Sequence, residues 1–425
     1  MVKLKILILS DYAYIEGGTG RVAISSAIKL AEKGHEVVYF SGVGPITEDL
    51  TKAPFKEVIC LGQKDILNNP STLDAIFSGI YNWRAIGKLK LLFKKWIPDI
   101  AQVHGLSKAL SWSVIDTLYK YKVPVIFTLH DFGLICPNLG IYNFRLGNLC
   151  EFYKPGKGLK CLATNCDKRI YIHKLWRWIR YHFSIDILRI NRKVSSFIAV
   201  SEFMYEFFKD YIPKDKPIKV IHNPIDNQVL KLKDDLKTNK YKDFSFLYLG
   251  RLSLEKGVDM LLGAIKNVNA KLVIVGDGEM YHYCKDRIRE IGNEKIRLLG
   301  WQKEGAIANE MKHCNAIILP SRVMESAGMV ILEAARYSLP AIVSNHGVLR
   351  KLVEDKVNGL LFEPDNVESL IDAMKKAINN PDLVEFMSKK AINIFKKFDF
   401  SINSHIDKLE KFYKDTIDIS KSNIR

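Results

Sequence analysis

The sequence predicts an α/β chain of two Rossmann-like domains, and three observations carry that expectation. Short β-branched runs alternate with helical apolar spacing through the first half, the pattern of a parallel sheet covered on both faces. The same rhythm restarts in the second half, after a proline and a charged, polar stretch. Glycine-rich turns follow several of the strands, where a backbone can approach an anion closely.

In the first half the strand candidates are Leu4–Leu9, Glu36–Phe40, Val58–Leu61, Ile100–Val103, Val125–His130, Phe197–Val200 and Lys219–His222. Helical spacing covers Gly20–Glu32, Ser107–Tyr121 and Glu202–Lys209. The opening MVKLKILILSDY alternates lysine with apolar residues and then meets Asp11, which suits a strand. A secretory signal would need a longer apolar core and a small-residue cleavage site. The domain boundary falls near Asn223-Pro224, with Asn227–Asp243 as linker. Beyond it the strands are Phe246–Leu249, Leu272–Val275, Ile296–Leu299, Ala316–Leu319, Ala341–Val343 and Leu360–Phe362. Domains are therefore expected at residues 1–222 and 223–399, with an amphipathic helix in 400–425 that packs back on the first.

A chain of 425 residues, 48% hydrophobic and 26% charged, can bury two soluble cores. No run approaches the ~18–20 apolar residues that cross a bilayer, so a cytoplasmic protein is expected. The net charge of +17 is uneven: residues 1–222 hold 32 basic against 19 acidic side chains, the rest 32 against 28. A basic first half suits an anionic partner, nucleic acid or acidic lipid, and a solvated basic face explains it equally. Two segments bear on the choice. Trp83–Trp96 reads WRAIGKLKLLFKKW, and Lys168–Lys193 interleaves Arg169, Lys174, Arg177, Arg180, Arg189 and Arg192 with Tyr171, Trp176, Trp178, Tyr181 and Phe183. Both suit amphipathic helices docked on an anionic membrane surface, or else long domain helices with wet basic faces. No helix-turn-helix, RNA-binding or zinc-finger pattern accompanies them, so nucleic acid is not an expected partner.

The motifs follow in chain order. Gly17, Gly18 and Gly20 open a helix directly after the first strand; they form an anion loop or only a tight turn. VIFTLHD places His130 and Asp131 at the carboxyl end of a strand, the edge where open α/β sheets collect ligands. His104 holds the same kind of position. Cys136, Cys150, Cys161 and Cys166 crowd one loop and could hold a structural zinc, although none forms a CxxC pair and reduced thiols explain them too. GRLSLEKG follows the first strand of the second half, so Arg251 and Lys256 can converge on a diphosphate. Gly276 and Gly278 make a second glycine turn, placed to pack against a base.

The densest stretch is Pro320–Arg336, PSRVMESAGMVILEAAR. A strand ends at Pro320, Glu325 lies in the loop, and Glu333 lies in a helix whose apolar positions include Val330, Ile331, Ala334 and Ala335. Were most of that span helical, the two carboxylates would stand roughly 12 Å apart along the axis. Between them Ala327, Gly328 and Met329 offer the free amides of a helix N-terminus. Carboxylate, anion cradle, carboxylate is the layout expected for a nucleotide-sugar, and taken alone it suits many phosphate-binding proteins.

Taken together these residues resemble the retaining GT-B glycosyltransferases of family 4, over nearly the whole chain. PSRVMESAGMVILEAARYSLPAIVSNHG, with its E-x7-E spacing, is the most specific part, supported by GRLSLEKG and the early glycine loop. The resemblance implies GT-B architecture, two Rossmann-like domains with parallel sheets facing a central cleft. It implies that Arg251 and Lys256 hold the donor diphosphate, Glu325 the sugar hydroxyls and Glu333 the ribose. Gly17, Gly18 and His130 would approach from the first domain. The donor-binding set is completed by Gly276, Gly278, Ala327, Gly328, Met329 and Val330, and the catalytic set is His130, Glu325, Arg251 and Lys256. A UDP- or GDP-sugar would then be the donor and a glycan or lipid-linked glycan the acceptor, with no other cofactor, no catalytic metal and work on the inner membrane face. The cysteine loop is similar to that of a bacterial and archaeal subset, some of which carry a further cysteine where this chain has Tyr153. Tyr337-Ser338 stands where the family usually has a glycine before the next strand. A nucleotide-sugar epimerase, a glycogen-synthase-like polymerase and a silent membrane- or glycan-binding scaffold are the competing readings.

Overall fold

A computed structural model describes residues 3–66, 72–107, 109–152, 158–225, 244–397 and 399–422. The expected linker Asn227–Asp243 and Tyr153 lie outside the described residues. The chain divides into two compact units: 1–141 with 150–224 and 400–425, and 142–149 with 225–399.

The first unit is built on β1 (Lys5–Tyr12), β2 (Glu36–Val43), β3 (Glu57–Cys60), β4 (Ile100–His104) and β5 (Val125–Leu129). After a hairpin of β6 (Tyr142–Asn143) and β7 (Asn148–Leu149), which clusters with the second unit, come β8 (Ser196–Ala199) and β9 (Ile218–Val220). The seven-stranded sheet runs β3-β2-β1-β4-β5-β8-β9, with every pairing parallel. Ile6, Leu7, Ile8 and Leu9 are all fully buried, because helices cover both faces and leave no wet side for alternation.

One of those covering helices is the last of the chain, Ile402–Ser422, which packs on the helix Gly17–Glu32. Ile406, Leu409 and Tyr413 of this helix join the core of Ile6, Ile8, Ala23 and Ala27. Polar side chains fix its register. Lys33 pairs with Asp407 and Glu410 at 2.7 Å, His35 Nε2 meets Glu410 Oε1 at 2.7 Å, and Thr416 Oγ1 meets Ser196 Oγ at 3.0 Å. In the core, Tyr413 donates its hydroxyl hydrogen to Gln102 Oε1, and the Gln102 amide donates to Thr128 Oγ1.

The helix expected over Ser107–Tyr121 is shorter, Ser113–Lys120. The Asp11 carboxylate accepts from the amides of Ser107, Ala109 and Leu110 at 2.8–3.0 Å, and these bonds compete with a helical start.

Both basic aromatic segments are helical, over Trp83–Phe93 and Tyr171–His182. They face differently. In the second, Lys174 is fully buried, Arg177 bonds Asn138 and faces Asp167, and Arg180 donates to the Ser107 carbonyl while stacking 4.8 Å over Trp176. Trp176 in turn donates to the Ile76 carbonyl. Those cations are internal, so an outward basic face on this helix is not what the sequence encodes. The first helix is the opposite case. Trp83 is 71% exposed and Leu91 57%, flanked by exposed Arg84, Lys88, Lys90, Lys94 and Lys95.

The second unit continues with β10 (Ser245–Leu249), β11 (Lys271–Val275), β12 (Ile296–Gly300), β13 (Ala316–Leu319), β14 (Ala341–Ser344) and β15 (Gly359–Phe362). These form a six-stranded parallel sheet in the order β12-β11-β10-β13-β14-β15. Phe246, Leu272, Ile274 and Ile318 anchor its core.

Tyr413→Phe would leave the buried Gln102 carbonyl without its donor. We expect a loss of ~1–3 kcal/mol in urea unfolding of the full chain; an unchanged midpoint would remove that bond from the anchor.

Candidate functional site

In the second unit β11, β10 and β13 lie side by side, so the loops after Val275, Leu249 and Leu319 emerge together at one sheet edge. They pack backbone to backbone. A Cβ on Gly276 would lie 1.9 Å from the Gly250 carbonyl oxygen, and one on Gly257, where φ is +70°, 2.0 Å from that of Pro320. Only glycine fits either place.

Arg322 ties this cluster together. Its guanidinium meets Asp259 through two bonds of 2.7 and 3.0 Å, Asp365 at 2.6 Å and the Leu254 carbonyl at 2.7 Å, and its amide donates to Glu255 O. The result places Lys256 Nζ 2.5 Å from Glu325 Oε1, which also accepts from Ser321 Oγ at 2.6 Å. Burial opposes the Glu325 charge, but the Lys256 ammonium and the Ser321 hydroxyl outweigh it and hold its pKa below the usual carboxylate value. His346 Nε2 donates to the Ser321 carbonyl at 2.8 Å. Its Nδ1 is buried with no partner among the described residues, and burial keeps the ring neutral.

The helix after this loop is Met329–Arg336, with Gly328 as N-cap at φ +62° and no side chain capping it. Glu325 and Ser326 are outside the helix, so only part of the span between Glu325 and Glu333 is helical, and the axial spacing expected for one continuous helix does not apply. Ala327 and Gly328 are buried, Met329, Val330 and Glu333 half-buried, and Arg251 exposed. Gly278 shares the turn of Gly276.

In the first unit Asp11, His104 and His130 sit at one edge of β1, β4 and β5, which are neighbours in the sheet. Gly17 and Gly18 are exposed at the uncapped start of the helix Gly17–Glu32. His104 Nδ1 and His130 Nε2 lie 3.0 Å apart. Burial drives His104 well below its ordinary pKa and lowers His130 to about 3, so both rings are neutral.

The possible structural zinc finds no support. Among the described residues no group of three or more His, Cys, Asp or Glu side chains is arranged to hold a metal. Lys174 is the reason: its buried ammonium donates to Cys161 Sγ at 3.0 Å and lies close to Cys136 and Cys166. Burial opposes that charge, yet the thiols keep the lysine protonated, so a cation already occupies the centre of the cluster. Burial also pushes the Cys136 thiol up to about 12, away from the thiolate a metal would need.

Sequence reasoning missed Ser321, Arg322, His346 and the loop-gathering role of Asp11. Ser321 and Arg322 belong to the stretch already singled out, but their partners stand 4 to 68 positions away. Periodicity carries no signal for such contacts.

Residues 16–229 match the family model described as Glycosyltransferase Family 4, and residues 231–394 the one described as Glycosyl transferases group 1. An uncharacterized glycosyltransferase of Methanocaldococcus jannaschii is 31% identical over 180 residues, 42% of this chain and 49% of that protein. The UDP-Gal:alpha-D-GlcNAc-diphosphoundecaprenol alpha-1,3-galactosyltransferase of Escherichia coli is 31% identical over 195 residues, 44% of this chain and 49% of its own. These matches thus span about half the length of the two relatives (49% each). Among solved structures, Anabaena HepE in complex with UDP superposes with a TM-score of 0.65 at 17% identity, over 97% of this chain and all of that one. The shared fold is GT-B.

The Lys256–Glu325 pair is only partly exposed, at 29% and 18%, so breaking it from one side should cost ~1–3 kcal/mol, less than a fully buried pair. Lys256→Met and Glu325→Gln together should cost less than the sum of the two in a double-mutant cycle. Because the folded pKa of Glu325 is depressed, its contribution is complete above the unfolded carboxylate value and is lost as pH falls through the folded one. Strict additivity at neutral pH would count against the pairing.

Proposed function

The chain belongs to glycosyltransferase family 4, and on that premise we propose that it moves a sugar from a nucleotide-sugar to a glycan or lipid-linked glycan, with retention of configuration. The observation that carries this reading is the Lys256–Glu325 pair, held beside the N-terminus of the helix Met329–Arg336. A diphosphate arriving there competes for Lys256 and finds Arg251 exposed nearby in the chain. Glu325, relieved of its counter-ion, then accepts from sugar hydroxyls, while Glu333 takes the ribose. The amides at Ala327, Gly328, Met329 and Val330 serve the phosphates, and Gly276 and Gly278 let the base lie against their turn.

The acceptor hydroxyl attacks the anomeric carbon from the face that the diphosphate leaves. The carbon–oxygen bond to phosphate breaks, the glycosidic bond forms, and the acceptor proton passes to a donor phosphate oxygen. Lys256 and Arg251 neutralise the leaving group without a catalytic metal. In the first domain the candidate residues are Gly17, Gly18 and His130. The name of the Escherichia coli relative, which carries a UDP-sugar donor and a diphosphoundecaprenol-linked acceptor, and the UDP bound to HepE support a UDP-sugar over a GDP-sugar.

The same reading puts the protein on the inner face of the membrane, where a lipid-linked acceptor is found. No helix among the described residues is long and apolar enough to cross a membrane. The surface suited to docking is the helix Trp83–Phe93, whose exposed tryptophan, leucine and lysines combine interfacial and electrostatic attraction.

A thermal-shift panel of nucleotide-sugars should show one donor raising the melting temperature. With that donor, Lys256→Ala and Glu333→Ala should each abolish transfer in protein that still melts cooperatively; full turnover in both would sink the site assignment. Release of an isomeric sugar nucleotide without acceptor would instead make the protein an epimerase. In flotation assays the full chain should bind vesicles containing phosphatidylglycerol at low salt. Changing Lys88, Lys90, Lys94 and Lys95 to glutamine should abolish that binding, and binding that survives would exclude this face.

A further inference from the structure

Two histidines in hydrogen-bond contact, His104 buried and His130 half-buried, pose a question of proton count. His104 Nδ1 and His130 Nε2 stand 3.0 Å apart, so one of them carries the hydrogen and the other offers a lone pair. Both rings are neutral, with one N–H each. The decisive atom is His104 Nε2, which is buried with no partner among the described residues. Were the hydrogen on His130 Nε2, His104 would have to carry its own on that buried Nε2, stranding a donor without an acceptor. Orphaned buried N–H groups are rarer in native proteins than unused acceptors. His104 is therefore protonated on Nδ1 and donates to His130 Nε2, and His130 must carry its hydrogen on Nδ1.

We propose that His104 is a positioning residue that fixes His130 as an Nδ1–H hydrogen-bond donor and denies it a role as base. With its Nε2 lone pair engaged by His104, His130 has none left for an acceptor hydroxyl. The proton released in transfer must then go elsewhere, which agrees with its passage to the donor phosphate. The role in transfer rests on the functional reading above; the tautomer does not.

The environment gives no reason for either ring to gain a second proton. The ionisable group that acts on both is His405, from the C-terminal helix. Its own state follows from fixed partners: Nδ1 donates to the His222 carbonyl at 2.7 Å, so Nε2 is the bare nitrogen facing Ser26 Oγ at 3.0 Å. His405 is buried and neutral as well, its pKa lowered to about 4.

Full-length protein labelled with 15N-histidine would test this by long-range 1H–15N correlation spectra, assigned with His104→Phe and His130→Asn variants. His130 should appear as the Nδ1-protonated tautomer, unchanged between about pH 5 and 8. An Nε2-protonated or titrating His130 overturns the proposal. In His104→Phe the single tautomer should be lost, and kcat with the donor found in the panel should fall by at least about tenfold while UDP affinity holds. His104→Asn, whose amide can still donate, should recover part of that loss. An unaltered kcat in folded His104→Phe would overturn the positioning role. If no nucleotide-sugar binds at all, the functional reading falls, and the wild-type spectrum alone still decides the tautomer.

Discussion

Arg322 holds four pieces of the second domain at once, and the geometry of the candidate donor site depends on it. Its guanidinium spans Asp259, Asp365 and the Leu254 carbonyl, and its amide is bound to Glu255. Burial alone would weaken its charge, but the two carboxylates hold the guanidinium more firmly protonated than usual. With the loop after β10 and the loop after β13 fixed to each other, Lys256 and Glu325 have little choice but to meet. The missing Cβ of Gly257 completes the constraint, because any side chain there would drive the Pro320 backbone away.

The same logic appears in the first domain with a different charge. Asp11 collects three amides of the loop after β4, and Arg180 grips the Ser107 carbonyl of that loop. In both domains a buried or half-buried charge satisfies backbone groups that a connecting loop would otherwise leave bare. In the second domain Lys256 is thereby brought to Glu325, and in the first His104 meets His130.

The sheets were legible in the sequence because a parallel strand buried on both faces reads as a continuous apolar run, as in Ile6–Leu9 and Ala316–Leu319. The motif residues Lys256 and Glu325 were legible too, since each follows such a run at a carboxyl edge. What could not be read was direction. The spacing of Lys174, Arg177 and Arg180 is the same whether these cations face lipid or the interior, and only the contacts of Cys161, Asn138 and the Ser107 carbonyl decide for the interior. Nor could spacing show that the four cysteines already surround an ammonium. Arg322, with its nearest carboxylate partner 43 positions away, was beyond any local pattern.

The helix Ile402–Ser422 has a consequence for the order in which the protein is made. It supplies Ile406, Leu409 and Tyr413 to a core whose members outside this helix run from Leu4 to Ile221. A ribosome releases the whole of residues 225–399 before this helix exists. The domain that begins first can therefore finish last, its core lacking those three side chains until residues 225–399 have been made. Domains usually complete in order of synthesis; here the final turns of the chain close the earliest one.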